Sequence, residues 1–196
     1  MSAPDPVHAL AFAPRGRLGA PADPPLRVSF PARDMVQVML RRGQDAAFAE
    51  AIRGAFGMDP PAPGHASAGP EATAIWIQPG QWLLIAPRGV EGALAARATA
   101  AFAGLAAVAD QSHGRTTILL SGAAAREALS RGCRLDLHPR AFGPGRVAST
   151  PIAQIGCLLH QTDAAPSFEL TVFSTLAEPF LHWLIEAIAP LGVEIA

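Results

Sequence analysis

Apolar residues along this chain recur with two alternating periods, and the switches between them mark out two successive units. Residues 34–40 (Asp-Met-Val-Gln-Val-Met-Leu) alternate as a strand does. Residues 44–56 then place Ala47, Phe48, Ala51, Ile52 and Phe56 at helical spacing, which predicts one buried helix face. Residues 73–78 and 82–86 are apolar runs on either side of Pro79-Gly80-Gln81, whose turn chemistry predicts a hairpin. An alanine-rich helix over 90–102 and a strand over 105–110 complete the first unit. The second unit follows the same scheme: a strand over 116–120, a helix over 122–131, a hairpin of 148–155 and 157–161 turning near Gly156, a strand over 167–173 and a closing helix over 176–189. Pro179 falls in the first turn of that last helix, where its missing N–H does no harm.

Two stretches interrupt the periodicity. Residues 1–26 carry Pro4, Pro6, Pro14, Pro21, Pro24 and Pro25 and predict an extended arm, ordered only where it lies on another surface. Residues 57–70 contain four prolines and three glycines and read as a long exposed loop. The fold class expected is α+β: two ferredoxin-like halves, 27–112 and 113–196, with antiparallel sheets and helices packed on them, joined in one unit. The repeat is one of pattern, without residue-by-residue identity between the halves.

Composition sharpens this picture in three places. Half of the residues are hydrophobic and 16% are charged, against about 25% charged in an average domain. That allows a sizeable core and leaves apolar surface for a partner; alanine-rich filler is the plainer account. All fifteen basic residues are arginine, as GC-rich codon usage produces, and the net charge of −1 offers no basic stripe to neutralise phosphates. The N-terminus has neither the charged start nor the apolar run of a signal peptide, and residues 176–195 are broken by Glu178, His182, Glu186 and two prolines. A cytoplasmic protein with no nucleic-acid or membrane partner is expected.

The candidate chemistry is sparse. Ser121-Gly122-Ala123 opens a helix directly after a strand and offers free N–H groups to an anion, or is simply a capped helix start. Neither a P-loop nor a G-x-G-x-x-G occurs. Asp110, Ser112 and His113 have the residue types of a hydrolytic triad, but on an extended chain they alternate sides and form no relay. Cys133 with His138 and Cys157 with His160 are conceivable zinc pairs, against which stand the opposite strand faces of Cys157 and His160, the place of Cys133 just beyond a helix end and the usual burial of cysteine. Trp76, Trp82 and Trp183 have the spacing of core aromatics. In Leu135-Asp136-Leu137-His138-Pro139-Arg140, Leu135 and Leu137 are expected inside and Asp136 and His138 outside, with Pro139 holding His138 extended. Such a loop either displays Asp136, His138 and Arg140 to a partner or is pinned by an internal Asp–Arg or Asp–His pair.

Four segments carry a resemblance: Trp76-Ile77-Gln78-Pro79-Gly80-Gln81-Trp82-Leu83-Leu84, Asp110-Gln111-Ser112-His113-Gly114-Arg115-Thr116, Leu120-Ser121-Gly122-Ala123-Ala124-Ala125-Arg126, and Gly132-Cys133-Arg134-Leu135-Asp136-Leu137-His138-Pro139-Arg140-Ala141-Phe142. In this order, across about residues 33–190, the chain resembles the gamma subunit of heterotetrameric sarcosine oxidase, a relative of the folate-binding aminomethyltransferases. The resemblance implies the fold of an aminomethyltransferase N-terminal module and a place beside alpha, beta and delta subunits. It implies FAD, FMN, NAD and tetrahydrofolate on the partner subunits, zinc on delta, and no cofactor, metal or catalytic residue on this chain. Partner-interface candidates are Arg115, Asp136, His138, Arg140 and Phe142. The rival is a stand-alone folate-binding C1-transfer or iron–sulfur maintenance protein. Such repair proteins carry a Lys-Gly-Cys-Tyr-x-Gly-Gln-Glu motif, of which Arg131-Gly132-Cys133-Arg134 shares only Gly-Cys.

Overall fold

The computed structural model describes residues 10–196; the first nine residues of the expected arm lie outside it. From the N-terminal end, β1 (Gly16–Leu18) and β2 (Leu26–Ser29) precede β3 (Arg33–Leu40), α1 (Asp45–Phe56), β4 (Ala66–Ala68), β5 (Thr73–Gln78), β6 (Gln81–Pro87), α2 (Ala93–Ala101) and β7 (Ala106–Asp110). Then come β8 (Arg115–Ser121), α3 (Ala125–Ser130), β9 (Val147–Ile152), β10 (Ile155–Asp163), β11 (Ser167–Phe173), α4 (Ala177–Ile188) and β12 (Val193–Ile195). They form two sheets, ordered β4-β5-β6-β3-β7 and β1-β12-β2-β8-β11-β10-β9. Every pairing is antiparallel except that of β12 with β2.

In the five-stranded sheet, α1 presents Phe48, Ile52 and Phe56, four residues apart, to the core. It stops where Gly57 adopts φ +66° and returns its N–H to the Arg53 carbonyl, a left-handed end that glycine enters without a Cβ clash. Phe48 stacks on Trp82 at 4.7 Å between centroids and tilts against Phe102 at 4.9 Å. Val36, Val38, Ala74 and Leu84 join this aromatic core. The other face of the same strands carries Met35, Ile75, Leu83 and Ile85, which meet Val147 and Leu158 of the seven-stranded sheet. Residues 34–40 are apolar on both faces because β3 is covered by helices on one side and by a second sheet on the other.

The seven-stranded sheet buries Ile118, Leu120, Leu159, Leu170 and Val172 against Leu129, Phe180, Leu181, Leu184 and Ile188. Leu10 is fully buried in this core. β1 pairs with β12, and β2 sits between β12 and β8, so the described part of the arm is woven into the sheet.

Local differences from the sequence pattern have identifiable causes. Residues 57–70 are not an open loop: β4 pairs with β5, Met58 is buried, and His65 bridges Arg146 in the other half. The second hairpin turns at Ala153-Gln154, with φ +49° and +66°, rather than at Gly156. Two positive φ values suit the twist of a two-residue hairpin, but without Asn-Gly or Asp-Gly the turn left no mark in the sequence. The helix expected over 122–131 is reduced to α3.

Candidate functional site

After α3 the chain crosses α4 at Gly132, where a Cβ would stand 2.3 Å from the Trp183 ring. The close approach requires glycine and explains why Gly132 precedes Cys133 here. Cys133 returns its N–H to Leu129 at 2.8 Å, and the loop then runs to Phe142 with only Cys133, Leu137 and Phe142 buried. Phe142, expected among the surface residues, is 5% exposed and anchors the loop from inside. Leu135, expected inside, is 36% exposed.

Arg126 of α3 holds this loop in shape. Its guanidinium donates to the carbonyls of Leu137 and Phe142 and to Gln161 Oε1, the last two at 3.0 and 2.9 Å, and it lies over the Phe168 ring. One planar cation thus satisfies two carbonyls and an amide at fixed angles, which a lysine does not do. Asp136 Oδ1 accepts the His138 N–H at 2.9 Å, and the His138 carbonyl accepts the N–H groups of Ala141 and Phe142. His138 Nδ1 accepts a long contact of 3.3 Å from the Arg140 N–H. Asp136 pins its own backbone, not an arginine or histidine side chain. His138 and Arg140 are left exposed, and Arg140 has no ion pair among the described residues.

Arg115 lies elsewhere. It opens β8 opposite Phe173, whereas the 132–142 loop gathers beyond Ser121 at the other end of that strand. Seven residues at about 3.3 Å each separate the two by roughly 20 Å. No hydrogen bond, ion pair or ring contact joins them among the described residues.

The 110–115 connector is equally well bonded internally. Asp110 Oδ1 accepts the Ser112 N–H at 2.8 Å, Ser112 Oγ accepts the Met35 N–H at 3.0 Å, and Arg88 donates to the Ser112 carbonyl at 3.1 Å. His113 faces Glu91 at 3.2 Å. Burial works to raise the Asp110 pKa, but hydrogen bonds from Ser112 and the charges of His113 and Arg88 outweigh it and hold it below the ordinary value. Ser112 and His113 are therefore spoken for separately, not as a nucleophile and its base.

Between the two sheets stands an ionic cluster that the sequence reading missed. Arg33 donates to Glu169 Oε1 at 2.5 Å, and Glu169 Oε2 lies 3.4 Å from His160 Nδ1. Burial pushes the Glu169 pKa up; the hydrogen bond from His160 and the charge and hydrogen bond of Arg33 pull it further down, below the ordinary value of 4.5. The signal was present in Ser-Phe-Glu-Leu-Thr-Val-Phe, where one carboxylate stands in a strand with no other charge. An open cleft of about 320 Å³ borders Arg33, Glu71, Thr73, Pro87 and Glu169. Its arginine is already paired with its glutamate.

Cys157 faces the apolar core while His160, three residues on, faces Glu169, as alternation requires. Burial raises the pKa of both Cys133 and Cys157. Among the described residues no three histidine, cysteine or carboxylate side chains group for a metal. Trp82 is core, whereas Trp76 and Trp183 are half-buried.

Known proteins resemble this chain in sequence and in fold. The sarcosine oxidase gamma subunit family matches residues 42–190. The sarcosine oxidase subunit gamma of Corynebacterium sp. (strain P-1) is 35% identical over 85% of this chain and 80% of its own length. That of an Arthrobacter species is 39% identical over 77% and 74%. In structure, the chain superposes on a chain of the heterotetrameric sarcosine oxidase of Corynebacterium sp. U-96 with a TM-score of 0.76 and 26% identity, covering 85% of each. The aminomethyltransferase T of the Bartonella henselae glycine cleavage system shares the fold, with a TM-score of 0.62 at 12% identity over 87% of this chain and 47% of that one. The α+β fold expected from the sequence is therefore the aminomethyltransferase-like one, and the chain belongs to the sarcosine oxidase gamma subunit family.

Proposed function

We propose that this chain is the gamma subunit of a heterotetrameric sarcosine oxidase and acts as an assembly subunit, with the chemistry carried by its partners. The observation that carries the reading is the match of family and fold over most of the chain, at 85% mutual coverage with a chain of such a complex. On this reading alpha, beta and delta subunits surround it in the cytoplasm, and FAD, FMN, NAD and tetrahydrofolate sit on those partners. The 132–145 loop supplies one contact surface. Its backbone bonds are closed internally by Arg126 and Asp136, so His138 and Arg140 are presented at low ordering cost. No helix among the described residues is long and apolar enough to cross a membrane.

Native mass spectrometry with a visible absorbance spectrum, on the tagged chain purified from its own host, tests this. A flavin-coloured assembly with three further chains is the expected result. A colourless monomer or homodimer overturns it and turns attention to a direct folate-binding assay.

A further inference from the structure

Arg115 is half-buried, and among the described residues it has no carboxylate within ion-pair distance; its Nε is buried without an acceptor. Burial holds its pKa below the usual arginine value, as befits a cation partly stripped of water without a counter-charge. Its guanidinium lies 4.3 Å from the centroid of the Phe173 ring. The two residues are opposite one another across β8 and β11, so the sheet fixes the stack. Ser174, next in the chain, donates its hydroxyl to the His113 carbonyl at 2.8 Å and its N–H to the Gly114 carbonyl at 3.0 Å. The platform is thus tied on both sides before anything docks.

Its outer surface is uncovered: Phe173 is 46% exposed and Leu176, three residues on, is 39% exposed. An arginine stacked on an aromatic has the composition of an interface centre, where aromatic and arginine side chains are enriched, and the exposed Leu176 adds apolar area three residues on. A desolvated cation without a counter-ion is the electrostatic half of an unfinished pair, and a carboxylate completes it with charge-assisted hydrogen bonds. A two-fold axis through the centre of this patch would set Arg115 against Arg115, so a homodimer centred here is disfavoured and charge complementarity favours a different chain.

We propose that Arg115, Phe173 and Leu176 form a docking surface for a partner polypeptide that presents a carboxylate to Arg115 and an apolar side chain to Phe173 and Leu176. This rests on the subunit reading above and adds a second contact surface, roughly 20 Å along β8 from the 132–142 loop.

The test coexpresses the chain with its partner subunits and titrates the purified chain into the complex lacking it. Phe173→Ser with Leu176→Ser weakens association by about thirtyfold or more. Arg115→Gln weakens it by about tenfold at low salt and flattens its salt dependence. Thermal melts of the isolated variants control for folding. Hydrogen exchange of the unmodified chain is read independently of any variant, and residues 113–116 and 172–177 become protected on assembly. If the unmodified chain joins the complex while these segments stay unprotected and the variants bind as tightly, the docking surface is overturned and the subunit reading stands. If the unmodified chain joins no complex, both fall together.

Discussion

Asp110 and Asp136 each accept the backbone N–H two residues further on, at 2.8 and 2.9 Å, so the 110–115 connector and the 136–142 loop begin with the same turn. From there they diverge. In the connector, Ser112 is bonded to Met35, its carbonyl is capped by Arg88, and His113 meets Glu91. In the loop, one half-buried arginine caps the backbone from beneath, and the side chains of His138 and Arg140 are left outside. The connector spends its polar side chains on anchoring itself to the five-stranded half, whereas the loop closes its backbone and leaves His138 and Arg140 outside. A local turn therefore says nothing about whether a segment is structural or displayed; the surroundings of the next few residues decide that.

The comparison breaks most sharply at Arg126. Arg126→Met keeps the volume over Phe168 but leaves the Leu137 and Phe142 carbonyls without their donor, at a cost of about 3 kcal/mol. Urea unfolding should show the loss, and hydrogen exchange should show the 132–142 loop opening while the connector stays closed. An unchanged loop would mean that Leu137 and Phe142 hold it by burial alone.

At the seam that the connector spans, Glu169→Gln should destabilise by about 3 kcal/mol at pH 7, because Arg33 loses its counter-charge in a largely buried setting. The sign with pH follows from the lowered Glu169 pKa. The carboxylate's contribution is complete above its unfolded-state value near 4.5 and disappears as the pH falls through the lower folded-state value. The gap between wild type and variant, measured by denaturation at a series of pH values, should therefore be widest at neutral pH and narrow below about pH 4. A constant gap would assign the loss to packing rather than charge.

Smaller effects separate the two loops directly. Ser112→Ala removes the acceptor of the buried Met35 N–H and should cost about 1–2 kcal/mol. His138→Ala and Arg140→Ala should each stay within about 0.5 kcal/mol of the parent in stability. On the subunit reading, these two should weaken assembly instead, measured by co-purification of partner chains. A destabilisation at His138 equal to that at Ser112 would make both loops structural.

Much of the fold was legible in the chain because its cause is local. The spacing of Phe48, Ile52 and Phe56 dictates α1, Pro79-Gly80 marks the first hairpin, and the apolar run Ser167–Phe173 is β11. The 136–140 turn was readable too, since Asp136 acts on a group two residues away. Other features were out of reach for the opposite reason. Arg126 reaches Phe142, Arg33 reaches Glu169 and Leu10 enters the core of the seven-stranded sheet only after distant strands have paired. Phe142 and Leu135 were exchanged between inside and outside because irregular backbone has no period from which to infer burial. Short-range periodicity and turn chemistry set which elements form. Which polar groups are consumed and which are left facing outward depends on contacts between residues scores of positions apart, and those exist only in the assembled tertiary structure.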